Sequence, residues 1–304
     1  MSTMTTATAT TTTIAPTAAT TARQARRPAK RRRVNWSFIT MIALVCFMFF
    51  PIYWMFMTAV LPTSAVLSRN PALLPFGQTF SFDAFTTLFT ETAIVSWLLQ
   101  SGFVTLGSAL LSTAVAVTAA YAMSRFSIPG QKLVGMTFLM GRVLPGTLLA
   151  LPFFVLFQAI GLLDTSTAVI LANTAAITPL TALTLKGYFD GIPREIDEAA
   201  LVDGCTRLGV LWRIILPVSV PGLAACFGLA ATAAWTDLLF ARTLLLSREN
   251  WTMPQGIASM ISDVEIHWNE LMAAGLISII PVMIVYWFLQ PYLVSGMTAG
   301  GVKG

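Results

Sequence analysis

Between Pro193 and Pro217 the chain reads Pro-Arg-Glu-Ile-Asp-Glu-Ala-Ala-Leu-Val-Asp-Gly-Cys-Thr-Arg-Leu-Gly-Val-Leu-Trp-Arg-Ile-Ile-Leu-Pro, a charged island in an otherwise apolar polypeptide. These residue types suit docking rather than bond chemistry. Pro193 belongs in the first turn of a helix, where its missing N–H costs nothing. Glu195, Asp197 and Glu198 crowd the N-terminal end, where the helix dipole favours negative charge. Gly204 supplies a left-handed residue that ends this helix. Beyond it Leu208, Leu211, Trp212 and Ile215 fall at i, i+3, i+4 and i+7, one apolar stripe on a second short helix. Ala199 and Ala200 leave a low surface into which another protein can dock, and Asp203 adds to its acidic front. The spacing predicts two short helices bent at Gly204.

No other cluster has the makings of a reaction centre. His267 is the only histidine, and one histidine cannot make a metal site. Cys46, Cys205 and Cys226 are too few and too scattered for a disulfide framework. None of the four lysines, Lys30, Lys132, Lys186 and Lys303, completes a G-x-x-x-x-G-K-[ST] phosphate loop. The chain is therefore expected to bind no cofactor or metal, and it cannot hydrolyse ATP by that route.

The elements that must position the island are membrane helices. The 304 residues are 56% hydrophobic and 10% charged, a composition expected of an all-α integral membrane protein. Six apolar runs, at about 37–60, 95–121, 133–160, 167–185, 218–241 and 271–294, approach the ~20 residues that cross a bilayer as helix. Residues 37–294 thus form one transmembrane domain. Residues 1–36 are a tail, first Thr/Ala-rich and expected to stay disordered, then basic from Arg23 to Arg33. That cluster suits anionic lipid headgroups, so the net charge of +5 implies a bilayer and no nucleic acid. A twin-arginine export signal is the weaker reading, because the apolar run that follows is too long for a signal peptide.

Lys and Arg set the orientation. With a cytoplasmic N-terminus, Arg125, Lys132, Lys186, Arg194, Arg207, Arg213 and Lys303 share that side with the basic cluster. Arg69, Arg242 and Arg248 face the other. This places the 193–217 island, and both termini, in the cytoplasm. The stretch 61–94, punctuated by Pro62, Pro71, Pro75 and Gly77, becomes the longest external loop.

Ionisable groups at membrane depth are costly and mark function by default. Arg142 and Asp237 are the two clear cases, about 14 Å and about 28 Å from the cytoplasmic ends of their helices at ~1.5 Å per residue. At those depths they should not pair. Gln158, Asn173, Trp235 and Thr236 join them as candidates to line a solute pathway. The competing account is that Arg142 satisfies carbonyls freed at Pro145 and that the Asn and Thr residues hold helices together.

The spacing Glu198-Ala-Ala-x-x-x-Gly204, followed by Ile214-x-Leu-Pro217, resembles the cytoplasmic "EAA" loop of permease subunits of bacterial ABC importers. Tyr121, Ala122, Arg125 and Gly130 resemble a second turn of that family. The C-terminal Ser295-Gly-Met-Thr-Ala-Gly-Gly-Val-Lys-Gly304 is similar to the tail of the carbohydrate-uptake branch, of the maltose-transporter G-subunit type. The resemblance implies a six-helix permease fold in the bacterial cytoplasmic membrane. It implies that Glu198, Ala199, Ala200, Asp203, Gly204, Leu208, Leu211 and Trp212 couple to an ATPase. It further implies that residues 295–304, with Thr298, Gly300 and Lys303, enter the interface between two ATPases. The implied partners are a second permease, two ATP-binding subunits that use ATP and Mg, and an extracytoplasmic substrate-binding protein or lipoprotein. A carbohydrate or related solute would be carried inward. Two departures are Thr236, where the family's W-N-[DE]-[FL] has Asn, and Pro291 after Gln290, where a basic residue is common. A permease for another solute class stays open. An ion-coupled secondary transporter would need paired intramembrane carboxylates, and an intramembrane enzyme a clustered nucleophile and base; neither set is evident.

Overall fold

The computed structural model describes residues 36–66, 79–127, 129–143, 145–261 and 266–300, with residues 142 and 293–300 described by backbone alone. The tail at 1–35, the Pro71–Gly77 part of the long loop, and Lys303 lie outside the described residues, as do the side chains of Arg142 and Thr298. Among the described residues the regular structure is helical, with one isolated bridge between Ile261 and Ile266. Four continuous helices are long and apolar enough to span a bilayer: α1 (Trp36–Val60), α4 (Ile94–Arg125), α7 (Ser166–Asp190) and α14 (Trp268–Gly300). Short helices α2 (Thr63–Val66) and α3 (Asp83–Glu91) follow α1.

The two remaining spans, each a single run in the sequence, are broken. The run at 133–160 is α5 (Gln131–Val143) and α6 (Gly146–Ala159), bent by 92°. Pro145 stands at the break with extended backbone, because proline lacks an N–H and disfavours helix in the residue before it. The run at 218–241 is α11 (Val220–Trp235), which meets the preceding helical segment, Arg207–Val218, at 81°. Pro217 and Pro221 flank that bend. The segment ahead of it comprises α9 (Arg207–Val210), a π-helical turn at Leu211–Ile215 and α10 (Leu216–Val218), and α8 (Arg194–Val202) precedes α9. After α11 the chain breaks again before α12 (Leu239–Leu244), then forms α13 (Met253–Ser259) and α14. The last helix continues to Gly300, beyond the expected end at 294.

Residues 36–47 belong to a first unit, and there every described side chain is exposed. In the second unit, α4 and α7 pack along their lengths and α11 lies against both. Small buried residues line one side of α4 at Ser101, Thr105, Ser108, Ser112, Ala116 and Ala120. Such residues let backbones approach closely in a bilayer, where no hydrophobic force drives helices together. The approach is tight: a Cβ on Gly107 would lie 2.7 Å from Ile170 and one on Gly222 2.6 Å from Tyr188.

At the N-terminal end of α4, Trp97 is fully buried and its Nε1–H donates to the Arg248 carbonyl at 3.1 Å. A Cβ on Gly256 of α13 would lie 2.1 Å from the Trp97 ring. The Met253 N–H donates to Ser101 Oγ at 2.6 Å. Asn269 fixes the start of α14, its Nδ2 donating to the carbonyls of Thr58 at 2.8 Å and Leu61 at 2.5 Å.

Asp164 joins the turn before α7 to the strap after α12. It has φ of 63°. Its Oδ1 accepts the N–H groups of Leu246 (2.8 Å) and Ser247 (3.0 Å), and its other oxygen accepts the Ser247 hydroxyl. Partial burial raises the carboxyl pKa, but the bonds from Ser247 and Leu246 outweigh it and hold the group below the usual carboxylate range. A depressed folded pKa stabilises the fold above the unfolded value, and that contribution disappears as pH falls through the folded one. Asp164→Asn should therefore lower the melting temperature at neutral pH. In a series of melts into acid, the gap from the parent should shrink below the usual carboxylate range.

Candidate functional site

The charged island forms the helical elbow that its spacing predicts. Helix α8 begins after Pro193 and carries Glu195 and Asp197 in its first turn. It ends at Gly204, whose φ of +87° requires the left-handed region. The Gly204 N–H bonds the Leu201 carbonyl at 3.1 Å and the Cys205 N–H bonds the Ala200 carbonyl at 3.0 Å. Together they make the paired closure of a glycine C-cap. Thr206 then opens α9, its hydroxyl accepting the Gly209 N–H at 3.1 Å.

The apolar stripe does not stay on one face. Leu211 and Ile215 are buried with Val210, whereas Leu208 is 68% and Trp212 66% exposed. The π-helical turn at Leu211–Ile215 departs from the 3.6-residue period on which the stripe was judged. Ala200 also differs from expectation. It is buried against Val210, Leu211 and side chains of α4 and α7, so Ala199 alone of the pair offers a low outer surface. Outside the elbow stand Ile196, Leu201, Val202, Leu208 and Trp212, beside exposed Glu198, Asp203 and Gly204.

The underside is clamped to the C-terminal end of α4. Arg125 Nε pairs with an Asp197 carboxylate oxygen, and the two side chains are only 6% and 13% exposed. Arg125 Nη2 also donates to the Ile192 carbonyl at 3.1 Å, and Arg194 Nη2 donates to the Ser124 carbonyl at 3.0 Å. The Tyr121 hydroxyl donates to the Arg207 carbonyl at 3.0 Å, and the Arg207 guanidinium lies 5.1 Å from the centre of the Phe126 ring. Ser124 reaches Asp190 at 2.7 Å, and Asp190 pairs with Lys186 at 2.5 Å. The sequence reading placed Asp197 on the helix dipole and missed this clamp, since its partners lie on another helix. The available signal was Arg125 at the end of a long apolar run.

A second feature is a cavity of about 210 Å³ between α7 and α11. Asn173 and Asp237 share it with Thr181, Thr184 and Cys226. Asn173 is 3% exposed. The Asp237 carboxylate accepts the N–H groups of Phe240 (3.3 Å) and Ala241 (3.1 Å), so it caps α12. The other pathway candidates stand apart. Trp235 is buried and lines a separate apolar cleft of about 270 Å³ with Leu106 and Tyr286. Thr236 is exposed and donates to the Thr232 carbonyl at 2.9 Å. Gln158 is exposed on α6. Among the described residues, no group of three or more His, Cys, Asp or Glu could hold a metal ion.

The family model described as "Binding-protein-dependent transport system inner membrane component" matches residues 112–299, which include the elbow, its clamp and the cavity. The chain is 30% identical to the diacetylchitobiose uptake system permease protein DasC of Streptomyces coelicolor, over 88% of this chain and 97% of that one. It is 33% identical to the maltodextrin transport system permease protein MdxG of Bacillus subtilis, over 89% and 95%. The fold is similar to that of a bacterial ABC transporter involved in the import of the acidic polysaccharide alginate. There the TM-score is 0.71 and the identity 23%, over 85% of this chain and 95% of that chain.

Because Asp237 caps α12, Asp237→Ala should destabilise the protein by about 0.5–2 kcal/mol, the ordinary range for a lost cap. Asp237→Asn, which keeps an accepting oxygen, should lose less. Thermal melts in detergent check the order.

Proposed function

The chain belongs to the family of binding-protein-dependent transport system inner membrane components, and from that premise we propose how it works. It is the multi-pass permease subunit of an ABC importer for a carbohydrate or related solute, and it is not itself the ATPase. It pairs with a second permease across the pathway. Two ATP-binding subunits, which use ATP and Mg, supply the energy, and an extracytoplasmic binding protein or lipoprotein delivers the solute. The elbow lies in the cytoplasm with both termini. The gathering of Arg125, Lys186, Arg194 and Arg207 around it supports that orientation.

One observation carries this reading: the elbow exposes large apolar side chains, Trp212, Leu208 and Val202, while its charged Asp197 turns inward. A short surface helix gains nothing from showing such residues to water, so a partner covers them. The partner is one ATP-binding subunit, which also meets Glu198, Ala199, Asp203 and Gly204. ATP-driven closure moves the elbow and switches the bundle from inward-open to outward-open. The C-terminal residues 295–304 add a second contact to the ATPases through Thr298, Gly300 and Lys303. Asn173 and Asp237 line the pathway at the cavity, where an amide and a carboxylate suit sugar hydroxyls. Arg142 braces the bend at Pro145.

The test reconstitutes the chain with its second permease, ATPases and binding protein in liposomes, and follows ATP-dependent uptake of a labelled oligosaccharide. The parent should accumulate sugar only with ATP inside the cytoplasmic compartment. Leu208→Asp together with Trp212→Asp should leave the chain in the membrane but strip ATPase subunits from the purified complex, and uptake with them. Full ATPase content in that variant would remove the elbow from the docking surface.

A further inference from the structure

The backbone routes out of the elbow are hinged. Toward α7 the chain passes through Gly191, Ile192 and Pro193, outside any helix. Toward α11 it passes the π-helical turn and the 81° bend. Neither route is a single straight helix along which a push could travel end to end. The route to α4 is different in kind. It consists of side chains held at both ends: the buried Arg125–Asp197 pair, Arg125 on the Ile192 carbonyl, Arg194 on the Ser124 carbonyl and Tyr121 on the Arg207 carbonyl. These contacts grip both arms of the elbow, since Asp197 and Arg194 belong to α8 and Arg207 to α9.

Helix α4 is also the stiffest bar available to receive a push. It runs 32 residues with no proline inside, about 48 Å at ~1.5 Å per residue, against a hydrocarbon core of about 30 Å. Among the spanning helices, α1, α7 and α14 each contain proline, and the other two spans are bent. At its far end α4 holds the strap that precedes α13, through Ser96 on the Glu249 carbonyl (3.0 Å), Trp97 on the Arg248 carbonyl and Ser101 on the Met253 N–H.

We infer that Arg125 and Asp197 are the positioning residues that convert elbow motion into motion of α4, which carries it across the membrane to the Arg248–Met253 strap. The inference rests on the permease reading above and adds to it the route of transmission. The pair acts through α4 and touches neither solute nor nucleotide. A buried ion pair suits this task because its attraction, little screened away from water, resists separation as an apolar contact would not. Its partners fix direction as well as distance.

The test uses the complete reconstituted transporter and reads sugar carried per ATP hydrolysed, beside ATPase content and melting temperature. Asp197→Asn removes the charge and keeps the shape. It should retain both ATPase subunits and ATP hydrolysis, while sugar per ATP falls about tenfold, within the range of ordinary inter-site coupling. Asp197→Glu should recover most of that ratio. Tyr121→Phe, which deletes only the hydroxyl held on the Arg207 carbonyl, should lower the ratio with little change in melting temperature. It also serves as the independent arm where Asp197→Asn fails to assemble. An unchanged ratio in Asp197→Asn, or in Tyr121→Phe when only that variant assembles, overturns the inference. So does loss of the ATPases from an assembled Asp197→Asn complex, which would place Asp197 in docking instead. Absence of ATP-dependent uptake in the parent complex would instead defeat the permease reading itself.

Discussion

Close approach of α4 to α7 is the constraint from which the rest of this molecule follows. In a bilayer the surrounding solvent is as apolar as the side chains, so helices associate through packing and polar contacts alone. Serine, threonine and alanine at every third or fourth position of α4 let it lie against α7 with α11 over both. That seam fixes where the ends of α4 emerge. One end meets the elbow between α7 and α11, and the other meets the strap before α13. The elbow has a firm underside only because the seam brings Tyr121, Arg125, Phe189 and Ile192 together beneath it.

How much of this was legible depended on whether the information was local. The elbow was readable because helix start, acidic first turn and glycine stop all fall within a dozen residues. The φ of Gly204 agrees with its role as a helix terminator. The spans were readable from composition, and Pro145 marked a kink in one of them, though not by how much; the 81° bend between Pro217 and Pro221 was not read. What the residues could not show was pairing between distant segments. Asp197 reads as a surface acid until α4 supplies Arg125. Likewise the apolar stripe was judged on a helical period that the π-helical turn does not keep, so Leu208 and Trp212 point away from Leu211 and Ile215.

The pathway candidates illustrate the same limit. Position along an apolar run gives depth but no azimuth. Depth placed Asp237 near one surface and far from Arg142, and it gave no reason to join Asp237 with Asn173. The break after Trp235 turns the chain so that Asp237 faces α7, while Trp235 and Thr236 go elsewhere. The Thr236 departure from the family pattern thus falls on an exposed residue outside the cavity.

The cap that Asp237 makes on α12 has a consequence for what the cavity can prefer. Its carboxylate accepts from two backbone N–H groups, a favourable setting for negative charge at a helix N-terminus. The remaining lining is amide, hydroxyl, thiol and hydrocarbon. On the pathway proposed above, a solute in this space would meet a hydrogen-bonded carboxylate and oriented dipoles, and would be sorted by the geometry of its hydroxyl groups and by its girth. Dilute salt, which screens ions far more than it screens short dipolar contacts, would leave that sorting nearly untouched.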